Sequence, residues 1–286
     1  MSAPLTAVVD GGPYALAAGP DQAMWVTLVH SGQIARVSDS GEVSVFDVAP
    51  QARPSIITAG SDGALWFTCA GDDRIGRITT GGDLRTYELT AGSAPYGITA
   101  GPDGALWFTT TAMGTVGRIS VDGEISDETV VGGTPSMITA GPDGALWFTL
   151  NQRNAIGRLA LSGPSAGVTT RELPTRGAGP VGIAATHDDA VWFTEFRADK
   201  LGRIPMHDAI QEIDLPGQPH AVVADSADGV WVSLCGSDQI ARVSADGEIT
   251  TLDLPAGSEP HGLAVGSDGA LWVALESGFV VRLPAL

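Results

Sequence analysis

A formal net charge of −18 over 286 residues makes this chain strongly acidic. Binding to nucleic acid or to an anionic membrane requires clustered lysine and arginine, so the charge argues against both classes of partner. The 38 glycines and 18 prolines are typical of turn-rich all-β structure, which excludes a mainly helical protein.

The N-terminal segment reads MSAPLTAVVD. It lacks the basic start and the long apolar run of a secretory signal or a transmembrane span. We therefore expect a cytoplasmic protein. Residues 5–9 have the apolar, β-branched character of a short strand that precedes the first repeat described below.

Seven tryptophans mark an internal repeat of the chain. They are separated by 41, 41, 40, 45, 39 and 41 residues. They lie at Trp25, Trp66, Trp107, Trp147, Trp192, Trp231 and Trp272. A period of about 40 residues is the length of one four-stranded blade of a β-propeller.

The clearest copy of the repeat spans residues 95–119 and reads PYGITAGPDGALWFTTTAMGTVGRI. It contains two alternating strands joined by a G-P-D-G turn, where proline presets φ and glycine allows a positive φ. The V-G-R-I run forms a third strand, and a fourth strand follows a glycine turn. The sequence predicts a single domain, residues 1–286, that folds as a seven-bladed β-propeller with four-stranded antiparallel blades.

The last copy of the repeat lacks its fourth strand, because the sequence given stops at Leu286, shortly after Arg282. The unassigned strand at residues 5–9 is the obvious replacement. We expect this N-terminal strand to complete the seventh blade and close the ring, which removes two exposed sheet edges.

Residues that recur in all seven copies, or in six of them, are interpreted as architecture rather than chemistry. One arginine follows each tryptophan at a nearly constant distance, and an aspartate recurs in the turn between the first two strands. The arginines are Arg36, Arg77, Arg118, Arg158, Arg203, Arg242 and Arg282. The aspartates are Asp21, Asp62, Asp103, Asp143, Asp228 and Asp268.

Departures from the repeat point to function, and the clearest one lies where the first strand of each blade begins. The first strand of each copy begins with a proline. The residue that follows this proline is, in chain order, Tyr14, Ser55, Tyr96, Ser136, Val181, His220 and His261. Histidine occurs only in the two last copies. Tyr14 and Tyr96 are secondary candidates, since they offer aromatic surface to a ligand at the same position.

A second departure lies four residues after each tryptophan, at the end of the second strand. The residues there are Val29, Ala70, Thr111, Asn151, Phe196, Cys235 and Glu276, so only the seventh copy has a carboxylate. In antiparallel hairpins, the start of the first strand and the end of the second lie at the same face. Glu259 lies two residues before His261, and an extended segment would place both side chains on one side. We therefore expect His220, Glu259, His261 and Glu276 to converge.

Two carboxylates can hold Mg²⁺ through oxygen, with water or substrate as the other ligands. A neutral imidazole beside them can accept a proton. The alternative is a solvated acidic rim with two incidental histidines. The remaining histidines, His30, His187 and His207, are interpreted as surface residues, and Glu195 is interpreted as structural.

The repeat P-x-G-I-T-x-G-P-D-G-x-L-W-F-T followed by I-G-R-I resembles that of the virginiamycin B lyase family over essentially the whole chain. More specific matches are E-P-H-G at residues 259–262, P-H at 219–220 and A-L-E at 274–276. The resemblance implies that His261 is the proton acceptor, that Glu259 and Glu276 bind Mg²⁺, and that His220 contacts the substrate.

The same resemblance implies a carbon–oxygen lyase that linearises streptogramin B cyclic depsipeptides by Mg²⁺-dependent β-elimination at the threonine ester, which gives antibiotic resistance. The expected partner is this small molecule, and a monomer is expected because a closed ring has no obligatory partner surface. Two alternatives remain open. One is a non-catalytic propeller that binds a ligand or peptide, since propellers host many functions. The other is a metal-dependent lactone hydrolase.

Overall fold

The computed structural model describes residues 5–163, 166–206, 208–225 and 229–283. Within these ranges the chain forms 28 β-strands, arranged as seven antiparallel four-stranded sheets. Neighbouring sheets contact each other through their innermost strands, and the first of these also contacts the last, so the sheets form a ring. The all-β, seven-bladed propeller predicted from the sequence is confirmed. Across the described ranges, no helix is long and apolar enough to cross a bilayer.

In blades one to six the strands run outward from the channel in chain order, whereas in blade seven the outermost strand comes from the N-terminal segment. Blades one and two comprise β2 (Pro13–Ala18), β3 (Met24–Leu28), β4 (Gln33–Val37), β5 (Val43–Asp47), β6 (Pro54–Ala59), β7 (Ala64–Cys69), β8 (Arg74–Thr79) and β9 (Leu84–Glu88). Blades three and four comprise β10 (Pro95–Ala100), β11 (Leu106–Thr110), β12 (Thr115–Ile119), β13 (Ile125–Val130), β14 (Pro135–Ala140), β15 (Leu146–Leu150), β16 (Ala155–Ala160) and β17 (Gly167–Glu172). Blades five and six comprise β18 (Pro180–Thr186), β19 (Ala190–Glu195), β20 (Lys200–Pro205), β21 (Gln211–Asp214), β22 (Pro219–Ala224), β23 (Val230–Leu234), β24 (Gln239–Val243) and β25 (Ile249–Asp253). Blade seven comprises β26 (Pro260–Val265), β27 (Leu271–Leu275), β28 (Phe279–Leu283) and the N-terminal strand β1 (Leu5–Val8).

The N-terminal strand closes the ring as expected. Strand β1 pairs antiparallel with β28, with Leu5 opposite Arg282 and Val8 opposite Phe279. The backbone N–H of Val9 extends the pairing by donating to the carbonyl of Gly278 at 3.0 Å. The closed ring places blade seven directly beside blade one.

Burial is greatest in the second strand of each blade and decreases from there to the outermost strand. The second strand of blade three, β11, is buried at every residue, whereas the outer strand of blade six, β25, is exposed throughout. The innermost strands enclose a channel cavity of about 350 Å³ whose lining is largely aliphatic and includes Ile57, Ile98 and Val222. The second strands pack between neighbouring sheets and therefore form the hydrophobic core.

In blades one to four, the recurring tryptophan and arginine both donate hydrogen bonds to the aspartate of the same blade. In blade three, Trp107 Nε1 donates to Asp103 Oδ1 at 3.0 Å and Arg118 Nε donates to Asp103 Oδ2 at 2.7 Å. The Arg118 guanidinium also lies 6.0 Å from the centroid of the Trp107 ring, within the range of a cation–π contact. The architectural interpretation of the arginines and of this aspartate is confirmed.

The aspartate that pairs with the arginine does not occupy the same position in every blade. The sequence interpretation assigned it to Asp228 in blade six, a residue that lies outside the described ranges. Among the described residues of that blade, Arg242 Nε donates to Asp225 at 2.8 Å. In blade five the arginine partner is Asp188, at 2.6 Å from Arg203, and it keeps the usual spacing of four residues before the tryptophan.

The hairpin geometry gathers selected residues at one end of the ring. Each first strand begins, and each second strand ends, at this end, as shown by the pairing of Pro260 with Leu275 and of Pro219 with Leu234. We call this end of the ring the site face. The residue that follows each proline and the loop that follows each second strand therefore share it, as the sequence predicted.

Candidate active site

Three aromatic rings meet at the site face where blades six, seven and one adjoin. The ring centroids of His220 and His261 lie 4.6 Å apart, in an edge-to-face arrangement. Tyr14 lies 5.1 Å from His261 and 5.8 Å from His220, again between ring centroids. All three residues occupy the same position of the repeat, so ring closure is what brings Tyr14 of blade one to the histidines of blades six and seven.

The two tyrosines connect opposite parts of the site face. The hydroxyl oxygens of Tyr14 and Tyr96 lie 2.5 Å apart, and the Tyr14 hydroxyl lies 3.4 Å from His220 Nε2. This chain of contacts crosses the mouth of the channel from blade one to blade three. Burial is the main cause that raises the pKa of both phenols, so they remain protonated at neutral pH and can donate hydrogen bonds.

Glu276 lies between two histidines. Its Oε2 is 2.6 Å from His261 Nε2, and its Oε1 is 2.8 Å from Nε2 of His30. The short turn after β27 presents this carboxylate, because Gly278 adopts a φ of +101° and the Glu276 backbone N–H donates to the carbonyl of Glu259 at 3.1 Å. The carboxylate that departs from the repeat is thus in direct contact with the proposed base.

His30 is a surface residue, as the sequence indicates, but its contact with Glu276 was not predicted. Its side chain is largely exposed, but the imidazole contacts Glu276 across the junction of blades one and seven. The predicted ring closure could have indicated this contact, because it places blade one beside blade seven. His30 directly follows Val29, which in blade one occupies the position that Glu276 occupies in blade seven. Of the other two histidines, His187 is exposed, and His207 lies outside the described residues.

Glu259 reaches the site by a different route from the one expected. An extended segment was assumed to place Glu259 and His261 on one side, and this premise is wrong because Glu259 adopts a left-handed φ of +50° before β26 begins at Pro260. Asp238 holds the turn by accepting a hydrogen bond from the Glu259 backbone N–H at 2.8 Å. The Glu259 side chain is exposed, yet its charge still acts on His261.

Both site histidines favour the neutral form. Burial lowers the pKa of His220 to about 3, with a smaller contribution from the charge of His261. Burial also lowers the pKa of His261, although the charges of Glu276 and Glu259 act in the opposite direction. Near neutral pH, His261 is therefore an unprotonated imidazole and can accept a proton.

The residues around His261 are compatible with Mg²⁺. Among the residues that the structure describes, no three His, Cys, Asp or Glu side chains form a preassembled metal cluster. Mg²⁺ does not require one, since it usually retains several waters and is bound through one or two carboxylates. The Glu276 side chain is one-quarter exposed and Glu259 is exposed, so both can take part in a water-rich site of this kind.

Glu195 and Phe196, at the end of the second strand in blade five, face in different directions. Glu195, which the sequence indicates is structural, is 0% exposed. Neither carboxylate oxygen has a hydrogen-bond partner among the described residues. Phe196, the next residue, is half-buried, and its ring lies 6.2 Å from that of His220. In the sequence, Phe196 is only one of the seven residues that lie four positions after a tryptophan, and nothing there marks it as a site residue.

Comparisons with known proteins place the chain in one family. A family model described as the virginiamycin B lyase family matches residues 4–283. A virginiamycin B lyase of Mycolicibacterium smegmatis is 80% identical over 284 residues, covering 99% of this chain and all of the relative. The structure resembles selenomethionine-substituted virginiamycin B lyase from Staphylococcus aureus, with a TM-score of 0.92, 35% identity and 99% coverage of both chains. It also resembles a catalytically inactive histidine-to-alanine variant of that lyase with quinupristin, at a TM-score of 0.91, 34% identity and 99% coverage of both chains.

Proposed function

The chain belongs to the virginiamycin B lyase family, and on that premise we propose that it linearises streptogramin B cyclic depsipeptides by β-elimination at the threonine ester. The observation that carries this proposal is a neutral, partly buried His261 held against Glu276 and flanked by His220 and Tyr14. Loss of the antibiotic would make its host resistant. The protein that carries out this reaction is proposed to be a cytoplasmic monomer.

The proposed reaction begins with removal of the α-proton of the threonine residue. His261 accepts this proton, and the electron pair of the Cα–H bond forms a double bond between Cα and Cβ. The bond between Cβ and the ester oxygen breaks, and the ester carboxylate leaves with its electron pair. No water enters, so the linear product is an isomer of the cyclic substrate.

The contact with Glu276 determines which nitrogen of His261 can act. A neutral imidazole has one N–H and one lone pair, and a carboxylate at 2.6 Å from Nε2 favours the N–H at that nitrogen. The other nitrogen, Nδ1, is buried and has no hydrogen-bond partner among the described residues. For Nε2 to accept the substrate proton, Glu276 must move away from it and the imidazole must hold its proton at Nδ1.

His30 makes that rearrangement easier, because it offers Glu276 a second partner. When Oε2 leaves His261, Oε1 can keep its contact with His30 Nε2, which is 2.8 Å in the structure. The carboxylate is then still oriented near the base. His220 and the tyrosines complete the surface against which the substrate lies: His220 positions the ring, while Tyr14 and Tyr96 present aromatic surface and a hydroxyl donor.

The carboxylates of Glu259 and Glu276 are the proposed magnesium ligands. When bound there, the ion supplies Lewis-acid polarisation of a substrate carbonyl oxygen and offsets the negative charge that develops as the α-proton leaves. The protein's own part is to keep both carboxylates beside His261 and to keep His261 unprotonated.

Mass spectrometry of the product tests this proposal directly. The purified protein is incubated with quinupristin in Mg²⁺ buffer, with EDTA in a parallel sample and with the His261→Ala variant as control. A linear product of unchanged mass that requires Mg²⁺ and His261 supports the elimination. A product heavier by one water would instead identify a lactone hydrolase. Retention of the cyclic compound, with binding detected by calorimetry, would identify a non-catalytic binding propeller.

A further inference from the structure

A groove on the site face extends away from His261 across blades three to six. It has a volume of about 290 Å³. Its lining consists of Tyr96, Thr111, Ser136, Val181, Phe196 and His220. Tyr96 and His220 also belong to the contact network of the active site, so the groove is continuous with it. The groove walls contain no carboxylate, lysine or arginine, in contrast to the Glu276 side of the site.

Phe196 contributes an aromatic, uncharged surface to the groove. It occupies the repeat position that carries Glu276 in blade seven, and the other five blades have smaller residues there. Its backbone N–H donates to the carbonyl of Gly179 at 3.3 Å, which fixes its place at the end of β19. The ring is partly exposed to the groove and meets His220 edge-on, at an interplanar angle of 82°.

The distance from the groove to the base suits a peptide substrate. The ring centroids of Phe196 and His220 are 6.2 Å apart, and those of His220 and His261 are 4.6 Å apart. Phe196 therefore lies within about 11 Å of His261, the length of roughly three residues of extended peptide. A ring of several residues with its reacting ester at His261 can reach Phe196.

We propose that this groove binds an apolar or aromatic side chain of the cyclic depsipeptide, about three residues from the reacting threonine, and that Phe196 determines specificity for it. This inference rests on the proposed function. An apolar group gains by leaving water against Phe196 and Val181, whereas a charged group would find no counter-charge in the groove walls. Because the groove lies away from the reacting atoms, its contact with substrate is the same in the ground state and the transition state. It should therefore act on KM and leave kcat unchanged.

Steady-state kinetics of Phe196→Ala with quinupristin test the groove. Alanine is the residue at the equivalent position of blade two, Ala70, so the backbone there accepts it. KM should rise about tenfold with kcat within twofold of wild type. Phe196→Tyr, which keeps the ring, should retain a KM close to wild type. Met113→Ala is the matched control, since Met113 is an exposed apolar residue in the loop after Thr111 that does not line the groove; its KM should not change.

Calorimetric titration of quinupristin into each protein separates the two proposals. If wild type binds quinupristin but forms no product, the proposed reaction is wrong, while a tenfold weaker affinity of Phe196→Ala still supports the groove. If wild type linearises quinupristin and Phe196→Ala has an unchanged KM and affinity, the groove assignment is wrong and the reaction stands. A Phe196→Ala protein with lower kcat and unchanged KM would also overturn the inference, since that result assigns Phe196 to the chemistry.

Discussion

Glu195 in blade five and Glu276 in blade seven are two carboxylates at nearly the same place in the repeat, and they have opposite environments. Glu195 lies three residues after its tryptophan, and Glu276 lies four residues after. Side chains alternate between the two sides of a strand, so one residue of difference reverses the side. Glu276 lies on the site face, in contact with His30 and His261, whereas Glu195 points into the protein and is fully buried.

The chemistry of each carboxyl group follows from its environment. Burial raises the pKa of Glu195 to about 8, and the charge of Glu212 acts in the same direction. The equivalent residues in four other blades, Leu28, Leu150, Leu234 and Leu275, are apolar and buried. The position three residues after tryptophan is therefore a core position at which an acid is costly. At the position four residues after tryptophan, Glu276 is partly exposed to solvent and contacts His30 and His261. A carboxylate at the first position therefore lowers stability, whereas a carboxylate at the second can serve function.

The largest expected effect is loss of the base. His261→Ala should reduce kcat for linearisation by about 10²- to 10⁴-fold, because it removes the proposed proton acceptor. Far-ultraviolet circular dichroism and thermal unfolding should show that the fold is retained. The matched control, His187→Ala, removes an exposed histidine away from the site and should leave kcat unchanged. Turnover by His261→Ala at the wild-type rate would refute the assignment of the base.

The second largest effect is expected from removing the negative charge of Glu276 in blade seven. Glu276→Gln keeps the size of the side chain but removes the charge, so turnover should fall about 10²-fold. Affinity for Mg²⁺, measured by calorimetry without substrate, should also fall. Glu195→Gln makes the same chemical change one residue earlier in the repeat, at the buried position, and should alter neither quantity. Equal effects of the two variants on Mg²⁺ affinity would contradict the separation of roles.

The third effect tests the blade-five side. Glu195→Leu introduces the residue found in four other blades and should raise the free energy of unfolding by about 1–3 kcal/mol above pH 8, because it removes a buried carboxylate that lies beside a second carboxylate, Glu212. The pKa of Glu195 is about 8 in the folded protein, against 4.5 for an ordinary glutamate. Between these values the folded state keeps a proton that the unfolded state has lost, so wild-type stability falls as the pH rises.

Urea unfolding at a series of pH values measures the difference in the free energy of unfolding between Glu195→Leu and wild type. The gap in stability between Glu195→Leu and wild type should be smallest below pH 4.5, should widen as the pH rises and should level off above pH 8. A gap that stays constant with pH would mean that Glu195 does not titrate in this range. Linearisation of quinupristin should be unchanged in the variant, because Glu195 does not contact the site.

The smallest effect is expected at His30. Its imidazole is 63% exposed, and exposed pairs contribute about 0.2–1 kcal/mol, so His30→Ala should lower kcat/KM by at most about fivefold. His30→Gln, which can still donate a hydrogen bond to Glu276, should recover most of this loss. A loss of 10²-fold or more in His30→Ala would show that His30 takes part in the proton transfer itself and does more than position Glu276.

Much of the site could be predicted because the repeat supplies its own reference. Residues that recur in every blade, such as Trp107 and Arg118, were assigned to architecture, and His220, His261 and Glu276 were singled out as departures from it. The contact of His261 with Glu276 confirms that these departures meet. The parts that could not be predicted depend on geometry within a loop: the left-handed φ of Glu259 has no signature in the residue itself.

The sequence by itself determined the number of blades, their strand order and the two blades that differ from the rest, because hydrophobic alternation and turn residues are local and are repeated seven times. Only the tertiary structure decided which atoms meet. Closure of the ring brings Tyr14 and His30 of blade one to His261 and Glu276 of blade seven, across most of the length of the chain. Burial then sets the pKa of each group, and burial depends on the packing of neighbouring blades rather than on residue type.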